Sequence, residues 1–105
     1  MTTAIDHAVL VFLKLSDEGF GELDEREQIF DVEEKLEAAV SRNRIGEYDG
    51  HEFGQGWGKL YLYGPDARTL ADAVLPILKD AKPRTGSYVV LRFGGPGASE
   101  ERVPL

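Results

Sequence analysis

Apolar residues along this chain switch between a spacing of two and a spacing near 3.6, and the order of those switches constrains its fold more than any other feature. Residues 5–15 are dense in β-branched and aromatic side chains and read as a strand. Ile5, Val9, Val11, Leu13 and Leu15 make one face of it, and Asp6, Ala8, Leu10, Phe12 and Lys14 the other. Apolar residues on both faces are expected of a central strand. Ser16 to Gly21 reads as a loop. Leu23, Ile29, Val32, Leu36, Ala39 and Val40 then recur at helical spacing, so a helix with this buried stripe is expected to end near Asn43, with Asp24 and Glu27 as its capping pair.

From Ile45 to Tyr63 the spacing returns to two, and Gly54-Gln55-Gly56 is expected to form a three-residue hairpin turn. Gly64-Pro65-Asp66 stops the hairpin and caps a second helix. Its stripe is Leu70, Ala73, Val74, Ile77, Leu78 and Ala81, and Pro76 is expected to kink it or to lie at an exposed bend. Ser87 to Phe93 is a last strong strand. Gly94-Gly95-Pro96-Gly97 breaks the chain, and residues 98–105 are expected to fray or to add a short edge strand at Arg102–Val103. The resulting β-α-β-β-α-β order is that of a ferredoxin-like α+β domain spanning residues 1–105. Two helices would cover one face of a four-stranded antiparallel sheet with both terminal strands in the middle.

The charge is localised. Ser16 to Glu37 holds ten of the nineteen acids and only two of the twelve bases, while the whole chain carries −7. Such a face suits a basic protein partner, met by Glu33, Glu34 and Glu37, or serves as a solubilising shell. Small inhibitors and immunity-type proteins use the same physics against nucleases and toxins. Aromatics on middle strands would suit base stacking, but a chain of this charge repels phosphates, so no nucleic-acid partner is expected. The chain has no cysteine, which removes disulfides, thiolate metal sites and a cysteine nucleophile. The longest apolar run, Ala8 to Leu13, falls far short of the ~20 residues that span a bilayer, and the N-terminus lacks a signal-peptide pattern. A cytoplasmic protein without a membrane partner is the expectation.

With a three-residue turn, Phe53 pairs with Trp57, His51 faces Lys59, Asp49 faces Tyr61 and Glu47 faces Tyr63. Leu60, Leu62 and Tyr48 then point to the helices. The uncovered face is expected to carry Phe53, Trp57, Tyr61 and Tyr63, joined by Leu10 and Phe12 and by Tyr88, Val90 and Arg92. A face this apolar calls for a cover, and a homo-oligomer, in the simplest case a homodimer, is expected.

Glu47, Asp49 and His51 alternate along one strand. Projected from one side, they would make a metal site, and Asp49 with His51 an acid–base pair walled by Trp57, Tyr61 and Tyr63. The competing reading is a strand that keeps its open edge polar. His7 is expected to be structural. The glycines at 54, 56 and 58 have no following helix to cradle a phosphate, and neither a P-loop nor a Gly-x-Ser-x-Gly nucleophile is present. The leading expectation is therefore a non-catalytic binding or regulatory module without a cofactor, and the alternative is a small enzyme or ligand binder using Asp49 and His51.

The run Gly46-Glu47-Tyr48-Asp49-Gly50-His51-Glu52-Phe53-Gly54, with Leu60-Tyr61-Leu62-Tyr63-Gly64-Pro65-Asp66-Ala67, resembles a set of small bacterial α+β proteins without assigned function. The likeness extends from the first helix to Pro96. It implies a compact domain of this size and brings no activity, cofactor or catalytic residue. A shorter similarity, to ferredoxin-like regulators of ribonuclease E, rests on Gly46-Glu47-Tyr48-Asp49-Gly50 after an acidic helix.

Overall fold

In the computed structural model, which describes residues 6–105, seven elements follow one another. They are β1 (His7–Lys14), α1 (Leu23–Asn43), β2 (Glu47–Gly54), β3 (Trp57–Gly64), α2 (Ala67–Asp80), β4 (Tyr88–Arg92) and β5 (Glu100–Pro104). Ile5, expected on the inner face of the first strand, lies outside the described residues.

The strands form one antiparallel sheet in the order β2-β3-β1-β4-β5. The expected sheet of four strands is therefore corrected to five, because the tail takes the edge-strand alternative, over Glu100–Pro104, and does not fray. Leu105 donates its N–H to the Ser87 carbonyl (3.0 Å) and Phe93 donates to Ser99 (3.0 Å), so the chain turns back at 94–99 and pairs with β4. Arg68 of α2 grips Glu101 through two hydrogen bonds of 2.8 and 3.0 Å. β1 lies at the centre of the sheet, and β4 is interior only because β5 covers it. Both edges are polar or broken, with Glu47, Asp49 and Glu52 on β2 and Glu100, Glu101 and Pro104 on β5, which discourages edge-to-edge aggregation.

Strand register builds the core. Val9 lies between Leu62 and Leu91, and Val11 between Leu60 and Val89, so both rows point to one side of the sheet. Ile29, Val32, Leu36 and Val40 of α1 and Leu70, Val74 and Leu78 of α2 close over them, all buried. Two members of the expected stripes do not belong: Leu23 is 63% exposed and Ala81 is exposed. α2 runs through the exposed Pro76 without interruption; the missing N–H deprives only the carbonyl of the exposed Asp72 of its helical partner.

The start of α1 differs from the expected capping pair, whereas α2 is capped at Asp66 as expected. Asp17 folds the loop by accepting from Gly19 and Gly21 N–H (2.8 and 2.9 Å), and Gly21 adopts φ +78°. The chain is thereby ready to enter α1 at Glu22, whose N–H bonds the Glu25 carboxylate at 3.0 Å. Glu22 and Glu25, not Asp24 and Glu27, therefore cap this helix. At α2, Asp66 accepts from Arg68 N–H (2.9 Å), and the Ala67 N–H donates to His7 Nδ1 (3.0 Å). His7 is thus structural, as its position on β1 led us to expect.

These caps make stability depend on acid. The Arg68 N–H holds the Asp66 carboxyl below its ordinary range, the Glu22 N–H does the same for Glu25, and the Arg68 guanidinium for Glu101. Each is depressed on folding, so each contributes stability that is fully present above the ordinary carboxylate value of about 4 and is lost as pH falls through the lower folded value. Asp66→Asn should lower the melting temperature at neutral pH and make it fall less steeply below about pH 4, as thermal melts across pH would record.

Candidate functional site

The β2–β3 hairpin decides which side chains meet. Its turn has two residues, Gln55 (φ +55°) and Gly56 (φ +83°), so Gly54 faces Trp57 and Phe53 faces Gly58. Both turn residues are left-handed, the pattern of a two-residue hairpin whose twist matches its strands. Against the three-residue turn expected, this slips the register by one and sends His51 and Phe53 to the helix side. A bulge then restores it. Tyr48 pairs with Leu62 and Gly50 with Tyr61, leaving Asp49 unpaired, and Gly50 adopts φ +125°, a conformation that favours glycine. Glu47 still faces Tyr63, as expected.

Three expectations fall with the register. Phe53 is not on the open face; it packs on the core, its Cε1 lying 3.1 Å from where a Gly58 Cβ would stand. His51 faces Leu60 instead of Lys59 and is paired with Glu33 of α1, not with Asp49. Glu47, Asp49 and His51 do not converge, and among the described residues no three His, Asp or Glu side chains are grouped to hold a metal ion.

The open face carries Leu10, Phe12, Trp57, Tyr61 and Tyr63 as expected, with Lys59, Tyr88, Val90, Arg92 and Arg102 beside them. Phe12 stacks on Tyr88 (4.6 Å, 13°), and Trp57 stands edge-on to both at 6.3 and 5.6 Å. The Arg102 guanidinium sits 3.5 Å from the Tyr88 ring, Lys14 5.0 Å from Trp57 and Lys59 5.9 Å from Phe12. Rings and cationic stems thus dry one another, and the face is half-buried before anything covers it. Burial pushes the Tyr61 hydroxyl above its usual range, with Glu52 and Tyr63 adding to it.

A second cluster joins α1 to β2. Glu33 accepts from the Tyr48 hydroxyl (2.6 Å) and pairs with His51 Nδ1. Nδ1 lies 2.9 Å from both carboxylate oxygens, but hydrogen-bond geometry is met only at Oε2, and Oε1 is buried without a partner. Burial, reinforced by this carboxylate, drives the Tyr48 hydroxyl far above the phenol range. The His51, Phe30 and Phe53 rings form a triangle with sides of 5.4, 5.9 and 5.0 Å. Phe30 stands between two open clefts. One is lined by Glu33, Glu34, Glu37 and Tyr48, the other by Phe20, Arg26, His51 and Phe53.

Sequence reasoning missed Phe20, Phe30 and Tyr48 as parts of a site. For Phe30 a signal was present, since it is a large apolar residue that falls outside the stripe of Ile29, Val32, Leu36 and Val40. Among the described residues, no helix is long and apolar enough to cross a membrane. No protein-family model, curated protein or solved structure matches the chain.

Proposed function

We propose that this chain is a protein-binding module on a ferredoxin-like frame extended by β5. It pairs with a second copy through the open sheet face and leaves the acidic side of α1 outward for a basic protein. The observation that carries this reading is the apolar cluster of Trp57, Tyr61, Leu10, Phe12, Val90 and Tyr88 around Lys59 on that face, which none of the described elements covers.

The rim supports a copy as the occupant. Glu47 and Glu52 lie on the β2 side, Arg92 and Arg102, with Glu100 beside Arg92, on the β4–β5 side, and β1 runs between them. A two-fold axis along β1 sets each acidic side against the basic side of the second copy. Interstrand spacing and rise per residue give such a face about 500 Å² per copy. The total, about 1,000 Å², is at the low end for specific interfaces, so a weak dimer is expected.

Sedimentation velocity across a concentration series tests this. The mass should rise from one chain towards two, and Val90→Lys, which buries like charges across the axis, should hold it at one chain. A mass of one chain throughout, or association unchanged in Val90→Lys, would overturn the reading.

A further inference from the structure

The large apolar side chains most exposed among the described residues are Phe20 (64%), Leu23 (63%) and Phe30 (41%), and none of them is on the sheet face. Leu23 and Phe30 share one side of α1, and Phe20 lines the cleft that His51 and Phe53 enter. An apolar patch of this kind ringed by polar groups marks an interaction surface.

The ring is acidic. Glu34 and Glu37 line the neighbouring cleft, and Glu52 lines the one beside Phe20. The cation within the groove, Arg26, is already committed, donating to the Gly21 carbonyl at 2.8 Å and the Phe20 carbonyl at 3.4 Å. Glu33 itself is engaged, accepting from the Tyr48 hydroxyl and lying 2.9 Å from His51 Nδ1 through either oxygen, so the exposed Glu34 and Glu37 are the carboxylates open to a partner. The incoming group that fits them is a cation.

From these features we infer that the groove between α1 and β2 docks a basic amphipathic segment of a partner protein. An aliphatic or aromatic anchor would lie between Phe20, Leu23 and Phe30, and a lysine or arginine would meet Glu34 and Glu37. This rests on the reading of α1 as a docking face, but not on dimerisation, because the groove lies on the side of the sheet away from the copy. The unpaired edge of β2 contributes little, since the bulge at Asp49 interrupts it. The mechanism is a helix-and-sheet groove accepting apolar anchors under electrostatic guidance.

The test uses the whole chain and a fluorescent amphipathic peptide of lysines and leucines, with a lysine–serine peptide of equal charge as control. Anisotropy should detect the lysine–leucine peptide and only weakly the control. Phe30→Ala should weaken binding roughly 30-fold, the size of an interface hot spot, and the double variant Glu34→Gln, Glu37→Gln roughly tenfold at low salt. Glu34 and Glu37 are exposed, so the double variant should melt near the wild type, and Phe30→Ala, whose ring also packs on His51 and Phe53, is compared at a temperature where its melt shows it folded. Val90→Lys should bind as tightly as the wild type, which separates this proposal from the sheet-mediated pairing. Amide shifts in the nuclear magnetic resonance spectrum should gather at Phe30, Glu33, Tyr48, His51 and Phe53. Equal affinity for the two peptides, an unchanged Phe30→Ala, or shifts gathered on the sheet face would each overturn it.

Discussion

Gly64→Ala should lower the midpoint of urea unfolding by an amount equivalent to about 1–3 kcal/mol, the usual cost of forcing a methyl group into a filled space. Adding a side chain to glycine ordinarily favours the folded state by up to about 1 kcal/mol, because it restricts the unfolded chain. At Gly64 sterics win over that gain. A Cβ there would stand 2.3 Å from the Ile45 carbonyl oxygen and 3.2 Å from the Gly46 Cα, and a Cβ on Gly46 would meet the Tyr63 carbonyl oxygen at 2.3 Å. Two backbones touch at this point, where the chain enters β2 and leaves β3. Neither can retreat without breaking the pairing of Glu47 with Tyr63. Gly54→Ala, where a Cβ meets nothing within 4 Å, is the control and should leave the midpoint nearly unchanged. Equal midpoints for the two variants would contradict the close approach.

Leu36→Ala should cost about 2–5 kcal/mol, the range for truncating a fully buried leucine. Leu36 is fully buried in the middle of the α1 stripe that closes over β3. In a domain whose whole stability is of order 5–15 kcal/mol, that loss should lower the melting temperature by roughly 10 °C or more. Leu23→Ala, from the same sequence stripe, should be within about 0.5 kcal/mol of the wild type because Leu23 faces water. A calorimetric comparison of the two measures where the core ends. Similar losses from both would place Leu23 inside it.

That contrast marks how far the sequence could be read. Element order and the inner faces of β1, β3 and β4 were legible because Val9, Val11, Leu60, Leu62, Val89 and Leu91 alternate cleanly and are all buried. The hairpin register was not. A glutamine in the left-handed region leaves no mark in the sequence, so Gln55 concealed the shorter turn. Gly58 carried no meaning beyond the absence of a phosphate loop, whereas its missing side chain is the slot for Phe53 and Ile29. The bulge at Asp49 then cancelled the slip, which is why Glu47 still faces Tyr63 while His51 and Phe53 left the open face; Tyr61 and Tyr63 are held there by the pairing of β3 with β1. The partner of His51 was unreadable for a different reason. Glu33 lies 18 residues away on another element, and only the packing of α1 across β2 brings the two together. The acidic segment was legible as a charge but not as a groove, because the exposure of Phe20 and Phe30 depends on where α1 begins.

Trp57 is the chain's single tryptophan, and it stands among the rings of the open sheet face. Its emission can therefore be followed while the protein is diluted through the micromolar range, alongside the mass in solution. If two copies close over that face, the emission maximum should move to longer wavelength as the dimer falls apart and the ring meets water, and Val90→Lys should show the long-wavelength maximum at every concentration. An emission maximum that stays fixed in the wild type, with a mass of one chain throughout, would contradict the account.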